Sequence, residues 1–192
     1  GGSGATSFTT PTISTTTTYY AQTRSTTTGC LSATRTAVTA TVNAVPATAT
    51  LPVSGSRCGP GSVTISATSV AGTAIDWYST STGGVLLATG SSFTTPSITS
   101  TTIYYAGVRN TTTGCISITR VAVTATVNTL PTITVPTPGA FCSGSSTTLT
   151  ASGASTYTWS PATGLSSTIG ATVTAGPATT TTYTVTGTDG NG

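Results

Sequence analysis

An all-β fold, built as a tandem array of small β-sandwich modules, is what this 192-residue sequence predicts, and three observations predict it. Threonine and serine (55 and 25) account for 80 residues, and the β-branched threonine side chain favours extended backbone over helix. Apolar and polar residues alternate in runs such as SVTISAT and VAVTATV, so each run can bury one face, and no window spaces its apolar residues as a helix would. The stretch FTTPTISTTTTYYAQTRSTTTGCLSATRTAVTATVNAVP at 8–46 returns as FTTPSITSTTIYYAGVRNTTTGCISITRVAVTATVNTLP at 93–131, an offset of 85 residues that marks a modular array.

One period therefore runs from about Pro46 to Leu130, a length suited to a seven-strand sandwich. Residues 1–45 read as the C-terminal half of one module, 46–131 as a complete module, and 132–192 as the N-terminal part of a third. The opening GGSGATSFTTP parallels GGVLLATGSSFTTP from Gly83, so the chain is expected to start in mid-module. Within the complete module, strands are expected near 47–53, 62–69, 74–79, 85–88, 92–98, 101–109 and 116–127, separated by Gly/Pro/Ser/Thr turns. The last run changes phase. Ile116 and Ile118 share one face while Val121, Val123, Ala125 and Val127 continue on the opposite parity, which predicts a β-bulge near Thr119 or Arg120. The connections VNAVPAT and VNTLPTI are short and carry a proline, so the modules are expected to stack end to end into an elongated array with restricted hinging.

Charge is sparse: five arginines (Arg24, Arg35, Arg57, Arg109, Arg120), two acids (Asp76, Asp189), and no histidine, lysine or glutamate. The arginines are scattered, which argues against a nucleic-acid stripe or a membrane-surface patch and reads as isolated solubilising or capping charges. No run of eighteen apolar residues occurs and no charged-then-apolar leader opens the chain, so neither a membrane span nor an unprocessed precursor is expected. Two carboxylates about a hundred residues apart, with no histidine or amine, offer no general acid–base pair and no serine relay, so no enzyme activity, catalytic residue or cofactor is expected. Asp76, beside Trp77, is expected to face outward or bond a turn. TDGNG at 188–192 reads as a hairpin turn, with too few carboxylates for calcium, so no metal is expected. Asn110 heads the one N-x-Ser/Thr sequon, NTT, in an expected turn.

Trp77 and Trp159 fall at equivalent places on a central strand, where a sandwich keeps its core indole. Tyr19, Tyr20, Tyr104 and Tyr105 come as adjacent pairs, so alternation should bury one ring and expose the other, and the exposed ring is a candidate contact aromatic. The cysteines interleave. Cys30 and Cys115 each end a TGC, while Cys58 and Cys142 each precede a Gly/Ser turn and a strand. The simplest connectivity is a Cys58–Cys115 disulfide within the middle module, with Cys30 and Cys142 bonded to partners outside the chain given. In an ordinary sandwich those two turns lie at opposite poles, beyond the Cα separation of about 7 Å that a disulfide tolerates, so bonds between neighbouring modules or chains remain the other arrangement.

RCGPGSVTISAT, IDWYSTSTGGVLLATG, SSFTTPSITSTTIYYAGV, TGC and VAVTATVN together resemble the tandem immunoglobulin-like modules of secreted Bacteroidetes surface proteins. The first segment is similar to the back half of that pattern. FCSGSSTTLTASG, YTWSPATGLSS and TTTTYTVTGTDGNG resemble the related PKD-like module of the same proteins. The resemblance implies tandem immunoglobulin-like sandwiches in an extracellular, cell-surface adhesin, filament or stalk, of the kind exported by type IX secretion in gliding bacteria. It implies a non-catalytic mechanical spacer. The partners it implies are neighbouring repeats of the same chain, lateral or end-to-end self-association, and surface glycans. The alternative it leaves is a glycan- or partner-binding accessory module of a secreted enzyme.

Overall fold

A computed structural model describes residues 6–191; the first five residues, and Gly192 of the expected 188–192 turn, lie outside them. Regular structure among the described residues is all β, in fourteen strands: β1 (Thr17–Ala21), β2 (Thr36–Ala40), β3 (Thr50–Val53), β4 (Gly55–Cys58), β5 (Thr64–Thr68), β6 (Thr73–Tyr78), β7 (Leu86–Thr89), β8 (Ser92–Thr94), β9 (Thr102–Asn110), β10 (Val121–Asn128), β11 (Thr147–Thr150), β12 (Thr156–Ser160), β13 (Thr172–Ala175) and β14 (Thr184–Thr188). They form a five-stranded sheet ordered β4-β10-β9-β6-β7, a three-stranded sheet ordered β3-β5-β8, and two-stranded ladders β1-β2, β11-β13 and β12-β14.

One compact unit comprises the chain up to Leu51 with Ala67–Ser91 and Tyr105–Val121. In it β1 and β2 pair antiparallel, Tyr19 opposite Val38. β6 pairs antiparallel with β9, Asp76 opposite Gly107 and Trp77 opposite Ala106. Alternation explains the burial: Ile75 and Trp77 of β6 and Ala106 and Val108 of β9 are all buried, as period-2 side chains on one pleated face must be. The TTTG turns repeat in detail. Gly29 and Gly114 both sit at φ +74°, where a Cβ is disfavoured, and the amide of the residue heading each turn donates to the cysteine carbonyl (Ser25 to Cys30, Asn110 to Cys115).

The other unit comprises Pro52–Ser66, Ser92–Tyr104 and the chain from Ala122 onward. β4 runs parallel to β10, from Ala125 opposite Gly55 to Asn128 opposite Cys58. β5 and β8 pair antiparallel with Ile65 opposite Phe93. Gly55 is required by close approach, because a Cβ there would run into the carbonyl oxygen of Thr64 and the side chain of Val63. The C-terminal segment builds its own core from Leu149, Ala151, Tyr157, Trp159, Val173 and Ala175, with Ile133, Ala154, Leu165, Tyr183 and Val185 packed against it.

Three expected elements differ from the structure. The strand expected over 47–53 is only β3, with Leu51 held at φ +46° just before Pro52, and an unexpected strand, β4, follows it after Ser54 and pairs with β10. The strand expected over 92–98 stops at Thr94, since Pro96 has no amide to continue the ladder, and the pairing resumes as the Gly61–Ile98 bridge. The strand expected over 116–127 starts at Val121. The phase change is a break, not a bulge: Ser117 receives the Val108 amide on its hydroxyl and donates its own amide to the Val108 carbonyl, and beyond it Ile118 is 88% exposed.

Candidate functional site

Asp76 is the one buried acid among the described residues, which corrects the expectation of an outward or turn-bonded side chain. Arg109 lies two positions from Gly107, the residue opposite Asp76, and so on the same face of the sheet. Its Nε donates to Asp76 Oδ2 at 2.7 Å and its Nη2 to Oδ1 at 3.2 Å, and the Thr89 hydroxyl of β7 donates to Oδ1 at 2.7 Å. Burial pushes the Asp76 carboxyl upward, but the hydrogen bonds from Arg109 and Thr89 and the guanidinium charge outweigh it and hold the group below its ordinary range. The same contacts raise Arg109. A carboxylate held ionised by three donors, from β7 and β9, is a cross-strand clamp on β6.

Other arginines are bonded within the fold, two of them capping backbone carbonyls, as the expectation of solubilising or capping charges allows. Arg120 lies over the Tyr78 ring, 3.3 Å from its centroid, and donates to the carbonyls of Thr80 and Gly83, pinning the hairpin between β6 and β7. Arg57 donates to the carbonyls of Gly59 and Ser62, and Arg35 to Gln22 Oε1. Sequence reasoning missed these roles because a lone arginine carries no period. The available signal was a single acid and a single arginine on neighbouring strands of one predicted sheet.

The two indoles are buried as expected, and they share a device. Trp77 Nε1 donates to the carbonyl of Gly90 at 2.8 Å, and Trp159 Nε1 to that of Gly170 at 2.9 Å. Of the paired tyrosines, Tyr104 is buried and Tyr105 half-buried, while Tyr19 is half-buried and Tyr20 is 65% exposed. Asn110 accepts the amides of Thr112 and Thr113 on its side-chain oxygen, and Asp189 accepts that of Asn191, so both head turns.

Of the four cysteines, Cys58 lies in a strand, β4, and Cys30, Cys115 and Cys142 lie in loops. Cys58 pairs with Asn128, the last residue of β10, and its Sγ lies 4.0 Å from the Asn191 carbonyl oxygen. Cys115 precedes the first residue of β10 by six positions and is half-buried; Cys30 and Cys142 are exposed. Among the described residues no group of three His, Cys, Asp or Glu side chains could hold a metal, and no helix is long and apolar enough to cross a membrane.

Two open grooves are found among the described residues. One, about 710 Å³, is lined by Phe8, Tyr19, Tyr20, Val38 and Ala40 among others; the second, about 520 Å³, by Phe141, Leu149, Pro177 and Tyr183 among others.

Short strands joined by turns of fixed form around a buried central-strand indole are those of an immunoglobulin-like β-module. The family carrying the description "Ig-like domain CHU_C associated" matches residues 2–44 and 46–128, about two thirds of the chain, and the chain belongs to that family. No curated protein matches the chain. Among solved structures, domains d3–d4 of the rat CD45 extracellular region share 15% identity, covering 65% of this chain and 71% of that one, at a TM-score of 0.34.

Proposed function

We propose that this chain is a non-catalytic structural segment of an extracellular surface protein: part of the stalk or filament of an adhesin, with residues 1–45, 46–131 and 132–192 belonging to three successive modules. The observation that carries the reading is that side chains which could do chemistry are spent on the scaffold. The buried carboxylate is clamped by Arg109 and Thr89, three other arginines bond carbonyl or amide oxygens of the fold, and both indole N–H groups bond glycine carbonyls. Membership of the CHU_C-associated family supports an extracellular place, as does a composition in which charge is nearly absent and threonine covers the strands. For the cysteines the pairing proposed is Cys58 with Cys115 within the middle module, with Cys30 and Cys142 bonded to partners outside the chain given.

The reading is tested by pulling the chain between surface-bound ends and, separately, by incubating it with immobilised glycans. A spacer gives a discrete unfolding event for the middle module and no saturable glycan retention. Saturable retention that disappears in Tyr20→Ala or Tyr105→Ala would replace this reading with that of a glycan-binding accessory module.

A further inference from the structure

The five-stranded and three-stranded sheets end in four edge strands, and three of them are guarded against pairing with another chain. β4 carries Arg57, β3 carries Pro52, which has no amide to offer, and β8 is three residues long and stops short of Pro96. β7 is the exception. Among the described residues it has β6 on one side and no strand on the other, and the chain from Ser79 to Ser91 holds neither a charge nor a proline. Its large side chains are apolar and open to solvent: Val85, just before it, is 78% exposed, Leu86 47% and Leu87 44%.

The strand is also held ready. The Gly90 amide donates to the Ile75 carbonyl at 2.8 Å, so by the alternation of an antiparallel ladder the Thr89 amide, opposite Asp76, turns away from β6. The one irregularity does not mask the edge: the register shift between Trp77 and Tyr78 leaves Leu87 without a partner on β6 and both leucines about half exposed. Arg120 donates to the carbonyls of Thr80 and Gly83 at 2.8 and 2.7 Å, which fixes the hairpin that presents β7, so little order has to be created on docking.

We infer that β7 is a self-pairing edge, and that its occupant is β7 of a second copy of this chain, docked antiparallel across a two-fold axis at Leu87. Charge selects the occupant. Identical strands related by a two-fold bring residues near their own twins, which an edge such as β4, with Arg57, resists and a neutral edge allows. A foreign strand could be matched by opposite charge; a twin cannot, and with five arginines, two acids and one of those acids clamped, charge complementarity contributes little between copies of this chain. The apolar pattern sets the axis. At Leu87 it places Leu87 against its twin, Leu86 against Ala88 and Val85 against Thr89, whose outward amide then donates to the carbonyl of the partner's Val85, whereas an axis at Ala88 would set Leu86 against Gly90 and Val85 against Ser91. The inference goes beyond the stalk reading and does not rest on it, since the whole edge lies within one hairpin.

The test uses the whole chain, with sedimentation velocity and amide hydrogen exchange read over one concentration range. An interface of one short strand is small, so the chain should pass from monomer to dimer between about 10 μM and about 1 mM, and with no charge in the contact added salt should not reverse it. Over that range the Thr89 amide should slow about tenfold while the Gly90 amide, already bonded to Ile75, does not change. Leu87→Lys and Leu87→Asp should each stay monomeric, because the two-fold sets like charges together, and an equimolar mixture of the two should dimerise again. Val70→Lys, at an exposed site between β5 and β6, should leave the dimer unchanged. A parent chain still monomeric at the upper concentration overturns the proposal. So does a dimer in which Thr89 exchanges as fast as in the monomer, and so does a mixture that fails to pair although each variant melts as the parent does. The Thr89 readout needs no substitution, so it decides the matter if either variant fails to fold.

Discussion

Asp76 and Arg109 make one acid-sensitive joint in an otherwise uncharged core. The folded carboxyl titrates below its unfolded value, so the clamp stabilises the fold fully above the unfolded pKa of about 3.9 and the contribution is lost as pH falls through the folded value. The thermal midpoint should therefore drop as pH falls below about 4. In Asp76→Asn the midpoint at neutral pH should already be lower by about 5 °C or more, and the further drop in acid should largely vanish. Circular dichroism melts of the two proteins at pH 7 and pH 2.5 check this, and parallel acid slopes would show that the clamp is not the titrating joint. Trp77 teaches a different lesson at the same scale. Its burial was legible from its place in an alternating run, but its hydrogen bond to Gly90 was not, because the acceptor is a carbonyl thirteen residues away that any residue would have presented.

Among elements, the strands with strict alternation were the legible ones: β5, β6 and β9 fall within two residues of where the sequence puts them. The failures have specific causes. Pro96 ends a strand that propensity alone would extend, and the 116–120 segment carries apolar residues, Ile116 and Ile118, that point to solvent, so a pattern-based reading extends the strand across a break held by one serine. Ser117 is thus the hinge of the β9–β10 connection: its hydroxyl accepts the Val108 amide at 3.0 Å and donates to the Thr119 carbonyl at 2.9 Å. Ser117→Ala strands the buried Val108 amide and should destabilise the fold by about 1–3 kcal/mol, whereas Thr119→Ala, which leaves the accepting carbonyl in place, should change little. Denaturant titration of both variants decides between them; equal effects would remove Ser117 from this role.

For the molecule as a whole, the repeat was the most informative signal in the sequence, because a copied turn, a copied aromatic pair and a copied glycine conformation need no physical theory to be aligned. The open groove was less legible, because it is set by how Phe8 and strands β1 and β2 come together in space, beyond the reach of local pattern. If the module boundaries are right, residues 46–131 expressed alone should melt in one cooperative β-rich transition, monitored by circular dichroism and near-ultraviolet absorbance together. A broad, probe-dependent melt would sink those boundaries.

The parallel pairing of β4 with β10 decides how such a module yields to tension. Pulled from the start of β4 and the end of β10, two parallel neighbours slide lengthwise past each other, so the hydrogen bonds from Gly55–Ala125 to Cys58–Asn128 are loaded together and must rupture together. An antiparallel pair pulled from one end opens bond by bond, like a zipper, at lower load. Short as it is, the β4–β10 ladder is a shear joint across the path of the force. Arg57→Pro, which deletes an amide on the ladder side of β4, of the same parity as the Gly59 amide that donates to Asn128, should lower the unfolding force of the module in a single-molecule pulling trace far more than it lowers the melting temperature.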